Sequence, residues 1–212
     1  MKIITLPLIA ALLAVSACSQ ASEPAAKRAA QATEPAPVAT LAKVERVGNW
    51  TVIKANSHIK FTASQQGKSF TGEFKDYDVV INFKKDALKE AGVTATINVA
   101  SIAAGDKDRN SALPGKEWFN VTAFPKAVFK SDDFVKVSGN QYEARGTLTM
   151  KGKSQPLTLP FTLDINGAKA QMAGKVKLDR TLWKVGTGSW STDEWVSTDV
   201  TVDIKISAES AN

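Results

Sequence analysis

The chain has 212 residues, with 27 Lys and Arg against 21 Asp and Glu, a formal net charge of +6, one His and one Cys. A single cysteine excludes a disulfide within the chain and a two-thiol metal site. The positive excess is mild and scattered, with no basic run of the kind that marks a nucleic-acid patch.

Lys2 and the apolar stretch Ile3 to Val15 have the form of a secretory signal, too short to span a bilayer comfortably. Ser16 and Ala17 then place small residues before Cys18, which resembles a bacterial lipoprotein signal whose Cys becomes the acylated N-terminus. Residues 1–17 are therefore expected to be cleaved and Cys18 lipidated. Residues 18–46 are rich in Ala, Pro, Glu, Gln and Lys, with Pro24, Pro35 and Pro37 breaking any helix. Such a segment cannot bury enough surface to fold and reads as a disordered tether. Residues 47–212 fit one domain. The expected location is the periplasm, lipid-anchored at the outer membrane.

From there the chain reads as strand after strand. Ile59, Phe61 and Ala63 alternate with polar residues, as do Phe70, Gly72 and Phe74, then Tyr77, Val79, Ile81 and Phe83. Val93, Ala95, Ile97 and Val99 form a weaker row. Apart from a turn-sized insertion at Asp86 to Gly92, helical periodicity is confined to one long interruption, Gly105 to Ser131. Asp108, Arg109 and Asn110 begin a short helical run that Pro114 and Gly115 stop. Leu113, Trp118, Phe119 and Phe124 need an apolar partner, so the segment is expected to be a lid over a barrel end.

After the interruption the alternation is cleaner. Tyr142, Ala144, Gly146, Leu148 and Met150 share a face, then Leu157 to Ile165, then Ala170, Met172, Gly174, Val176 and Leu178. Val200, Val202, Ile204 and Ile206 close the chain. One wet and one dry face per strand means antiparallel pairing, as a sandwich or a closed barrel of roughly eight to ten strands. Small residues among bulky ones on the dry face point to unfilled volume, which is costly unless a ligand occupies it.

Catalytic and metal-binding patterns are thin. His58 lies opposite Ile59 and Phe61 and is expected at the surface or rim, so no Ser-His or Cys-His arrangement has support. Asp76 with Asp78, and Asp132 with Asp133, read as solvated acids, the latter at a strand end. No cofactor, no metal and no enzymatic activity are expected. Arg109, at the mouth of an apolar barrel, offers a planar fork of donors to a ligand phosphate or carbonyl, or to the lid backbone.

The stretch from Trp50 to about Ala208 resembles the YceI-like family of periplasmic, lipocalin-like lipid-binding proteins. The likeness is carried by Ser57 with Phe61, by Gly72-Glu73-Phe74, and by Arg109, Leu113, Phe119 and Phe124-Pro125 to Phe129 to Ser131 in the lid region. Gly146-Thr147-Leu148-Thr149-Met150-Lys151-Gly152 with Leu157 and Leu159 adds the hairpin. The resemblance implies an all-β, eight-stranded antiparallel lipocalin-like barrel with a short helical lid insertion. It also implies an apolar long-chain ligand, a polyisoprenoid, isoprenoid quinone or fatty-acid derivative. Its expected contacts are Phe61, Phe74, Arg109, Leu113, Trp118, Phe119, Phe129, Leu148, Phe161, Met172, Leu178 and Trp183. The family has Arg-Asp where this chain has Arg109-Asn110, so a lid contact through that carboxylate does not carry over. The tail from Arg180 to Trp190 resembles a subgroup associated with diheme membrane cytochromes b, which implies a quinone-type ligand and a membrane cytochrome b as partner. The alternative is a structural or interaction lipoprotein whose barrel is solid.

Overall fold

The computed structural model describes residues 49–210. The signal at 1–17 and the tether at 18–46 with Cys18 lie outside the described residues. Alternation from Trp50 onward becomes eleven strand segments. They are β1 (Trp50–Val52), β2 (His58–Gln65), β3 (Lys68–Phe74), β4 (Tyr77–Asn82), β5 (Gly92–Asn98) and β6 (Ile102–Ala103). After the helix α1 (Lys107–Ala112) come β7 (Lys126–Ser138), β8 (Gln141–Met150), β9 (Lys153–Asn166), β10 (Lys169–Asp179) and β11 (Asp199–Ser210).

Every pairing is antiparallel, and the ring β1-β4-β5-β7-β8-β9-β10-β11 closes through β1 and β11, giving eight staves. The other segments prolong staves already present. β1 and β2 both pair with β11, β3 runs into β4, and β5 runs on to β6, which pairs with β3. Closure leaves no exposed sheet edge along the ring. Short breaks bend these three staves, and serine hydroxyls satisfy the backbone groups the breaks release. Ser57 Oγ donates to the Ile53 carbonyl at 2.8 Å and accepts from Ser207 N at 2.9 Å. Ser101 Oγ accepts from Asp76 N at 3.0 Å. Where the sequence suggested a turn-sized insertion, a 3-10 turn spans Leu88–Glu90.

The register sorts the loops onto two ends. One end carries the β4–β5, β7–β8 and β9–β10 connections with both termini of the described chain, and the other carries the β2–β3 and β8–β9 turns, the α1 segment and the loop 180–198. Lys151 and Gly152 both adopt positive φ, 47° and 70°, as a two-residue hairpin turn matched to strand twist requires.

β7 carries the main irregularity, a register shift between Ser131 and Asp133. Ser131 is 1% exposed, and its hydroxyl donates to the carbonyls of Asp133 (3.2 Å) and Arg145 (2.7 Å). Asp132 and Asp133 therefore sit at a bulge inside a strand, and not at a strand end as the sequence suggested. The bulge also re-aims the rest of the strand: Ala127 and Phe129 face the interior before it, and Phe134 faces the interior after it.

Candidate functional site

The staves enclose a cavity of about 840 Å³. Its walls come from the inward rows of β2 to β5 and β7 to β11, with Phe61, Phe74, Phe129, Leu148, Phe161, Met172 and Leu178 among them. Many of these wall residues are only half-buried, including Phe74, Ile81, Met172, Val176, Leu178 and Ile204. They lie on the dry parity, so the surface they expose is the surface of the chamber. A solid core would have covered it.

The two ends of the chamber differ. Gln66, Lys68, Ser69, Asp108 and Ala112 line it and are exposed, and all five belong to the β2–β3 turn, the first residues of β3 or α1. At the opposite end the lining residues Trp50, Phe83, Phe134, Ile165, Ala170 and Ala208 are buried or half-buried. The mouth therefore lies between the β2–β3 turn and α1.

The lid is built from local chemistry. Asp106 caps α1, its Oδ1 accepting from Asp108 N at 2.9 Å and Arg109 N at 3.1 Å. The hydrogen bond from Arg109 is the largest cause holding the Asp106 carboxyl below its ordinary pKa. Asn110 Oδ1 accepts from Ala104 N at 2.7 Å, so the amide supplies an acceptor at the position where the family pattern has a carboxylate. Arg109 donates from Nε to the Ala104 carbonyl and from Nη1 to Gln65 Oε1, both at 3.1 Å, and lies over the Phe70 ring at 4.4 Å. It thus holds the lid backbone and also lines the cavity.

Beyond α1, Leu113 and Trp118 are buried at 8% exposure each, and Phe119 meets Phe74 edge-on at 6.0 Å. The far side of the lid is fastened to the loop 180–198. The Glu117 carbonyl accepts from Gly186 N (3.0 Å), Thr187 N (2.9 Å) and Lys151 Nζ (3.1 Å), and the Glu117 carboxylate from Trp190 Nε1 (3.0 Å). Burial lowers the Lys151 pKa, opposed by the Glu117 charge.

Arg180 is a wall residue that sequence reasoning missed. It is 4% exposed, and its guanidinium donates to the carbonyls of Ser197, Val185, Thr192 and Val196 at 2.7–3.1 Å while lying 5.2 Å from the Trp118 ring centre. Burial lowers its pKa and Asp179 opposes that shift. A charged side chain at the end of an apolar row gives no periodic signal. Gly186 in the same tail leaves room for it, since a Cβ there would strike Arg180 Nη1. Phe83 lies on the inward row that alternation identified, whereas Phe134 is hidden by the bulge.

Of the expected contacts, Phe61, Phe74, Arg109, Leu113, Trp118, Phe119, Phe129, Leu148, Phe161, Met172 and Leu178 come together around the one chamber. Trp183 does not. It is 2% exposed, its Nε1 donates to the Leu148 carbonyl at 2.9 Å, and it packs in the core without lining the cavity. Gly146 is a second correction. Its missing side chain leaves space for backbone, because a Cβ would meet the Lys130 carbonyl at the bulge. Its smallness serves close strand approach and adds nothing to the cavity. Cys18 lies outside the described residues. His58 is on the outer face, its Nε2 3.0 Å from Asp203 Oδ1, and this contact is the main cause lowering the Asp203 pKa. Among the described residues no three of His, Cys, Asp or Glu come together as a metal site.

Known proteins are similar to this chain in sequence and, for two solved structures, in architecture. Protein YceI of Salmonella arizonae is 31% identical over 132 residues, 58% of this chain and 69% of its own. The crystal structure of BcnA from Burkholderia cenocepacia superposes with a TM-score of 0.71 at 31% identity, covering 74% of this chain and 99% of BcnA. A domain from Saccharophagus degradans described as polyisoprenoid-binding shares the fold, with a TM-score of 0.61 at 13% identity over 76% of this chain and 98% of that domain. The YceI-like domain pattern matches residues 50–208, which span the closed barrel but for the last two residues of β11, and on that match the chain belongs to the YceI-like family.

Proposed function

We propose that the protein is an envelope-tethered carrier or reservoir for a long-chain apolar molecule of the polyisoprenoid, isoprenoid quinone or fatty-acid type. The observation that carries this reading is the apolar chamber of about 840 Å³ with its exposed polar residues at one end only. At about 30 Å³ per water-sized group, that volume holds a chain of roughly twenty to thirty carbons. Empty apolar walls of this extent forfeit dispersion contacts that a bound chain restores. The polyisoprenoid-binding description of the Saccharophagus degradans domain supports the reading by analogy. Tethering rests on the sequence pattern around Cys18.

Mass spectrometry of solvent extracts from the purified full-length protein tests it. A stoichiometric long-chain apolar molecule is expected, absent from an unrelated lipoprotein prepared in parallel. Extracts that match that control, together with no uptake of added prenol or fatty acid, would reject the carrier reading.

A further inference from the structure

Resting on the carrier reading, we propose that the end of the barrel opposite the lid is a fixed aromatic floor whose residues Phe83, Phe134 and Phe161 set the maximum length of chain the protein accepts. All three line the cavity. They also pack on one another: Phe83 meets Phe134 at 5.6 Å and 74°, and Phe134 meets Phe161 at 6.3 Å and 86°. Tyr142 backs them from outside the chamber, stacked on Phe161 at 5.6 Å and edge-on to Phe83 at 5.9 Å.

What makes this a stop and not simply more wall is how Phe83 is held. Asn49 grips its backbone from both sides, Oδ1 accepting from Phe83 N at 2.8 Å and Nδ2 donating to the Phe83 carbonyl at 3.1 Å. Trp50 Nε1 donates to the same carbonyl at 2.9 Å. These three hydrogen bonds tie the residue just after β4 to the start of β1, the strand that closes the ring. The mouth, by contrast, is spanned by the Arg109–Gln65 hydrogen bond between two surface segments. A chain threading in from the mouth therefore meets interlocked rings on an anchored backbone. Chains that end short of the floor gain a methylene's burial with each added carbon, and longer ones must leave their excess in water at the mouth. Asn49 is a positioning residue here, and the rings are the specificity determinants.

The test titrates the full-length protein, stripped of co-purified lipid, with saturated straight-chain alcohols from about 12 to about 30 carbons. Affinity is expected to rise with length to a limit and then stop rising. Phe83→Ala frees the space of one phenyl ring and is expected to move that limit upward by roughly three to four carbons. Phe134→Ala should move it likewise, and Ala170→Phe, which fills the lining at the same end, should move it down. Asn49→Ala is expected to blur the limit without lowering affinity for short chains, a change a uniform loss of stability would not produce. If Phe83→Ala does not fold, Phe83→Leu gives a smaller shift in the same direction. A limit that stays in place in both Phe83 and Phe134 variants while short chains still bind would overturn the floor. Failure of the wild-type protein to bind any alcohol would instead overturn the carrier reading, and the floor with it.

Discussion

Arg109 Nη1 donates to Gln65 Oε1 at 3.1 Å, a hydrogen bond that reaches from α1 across the mouth to the end of β2. The same guanidinium rests on Phe70 of β3 at 4.4 Å. One side chain thus ties the lid to the opposite rim by two contacts. A hydrogen bond of this kind contributes about 1 kcal/mol and an exposed cation–π contact about 0.5–1 kcal/mol. Arg109→Met is therefore expected to speed ligand exchange by roughly tenfold with little change in barrel stability. Stopped-flow displacement of a bound fluorescent fatty acid measures it. An unchanged rate in a folded variant would place the passage elsewhere.

The two inward-parity glycines of β8 and β10 are expected to respond differently to the same change. At Gly146 a Cβ collides with the Lys130 carbonyl, a backbone atom held in the bulge, so Gly146→Ala should destabilise by about 1–3 kcal/mol. At Gly174 a Cβ would lie 3.1 Å from the Pro160 carbonyl and 3.2 Å from the methyl ends of Leu159 and Met172. Two of those three neighbours are flexible side-chain ends beside the cavity, so Gly174→Ala should cost less than about 1 kcal/mol. Denaturant midpoints compare them, and equal losses would count against this assignment.

Acid is expected to loosen the lid through Asp106. Its folded pKa is lowered, so its contribution to the α1 cap is complete above the ordinary Asp value of about 3.9 and is lost as pH falls through the folded value. Exchange should quicken over that acid interval. Asp106→Asn keeps a competent cap and removes the titration, so its exchange rate should lack this dependence, while Asp106→Ala should exchange fast throughout. A wild-type rate that stays flat on acidification excludes the cap as the lid's acid-labile point.

Lipidation at Cys18 is checked by detergent partitioning. Cys18→Ser removes the chain's only thiol and is expected to leave a soluble or unprocessed protein. A Ser variant that is cleaved yet still partitions into detergent would contradict the anchor. Ligand content of the barrel should be the same in both forms.

Antiparallel strands with one dry face, the lid between β6 and β7, and most of the cavity wall were legible in the sequence, because period-two alternation is local. Alternation left sandwich and barrel both open, and the barrel came from the family resemblance. A strand with Leu157, Leu159, Phe161, Leu163 and Ile165 on one parity has a dry face whatever it pairs with. The stop at Pro114 and Gly115 is local in the same way and places Arg109 on a short helix before any tertiary contact is known. The sequence began that run at Asp108, whereas the helix starts at Lys107 with Asp106 as its cap. Strand count was less certain, because three staves are broken by short turns that read as separate strands.

Tertiary structure decided what each inward side chain meets. Parity put Gly146 at the chamber, but the bulge at Ser131 fills that position with backbone. Trp183 was expected there too, and the Leu148 carbonyl draws it into the packed wall. The same bulge turns Phe134 inward against the simple alternation, and closure of the ring brings it to Phe83 and Phe161 from distant strands. Arg180 sits in an apolar wall only because the loop 180–198 folds back to offer it four carbonyls. Faces follow from the alternation of neighbours along one strand, whereas depth in the chamber, its open end and its floor depend on stagger between strands far apart in sequence.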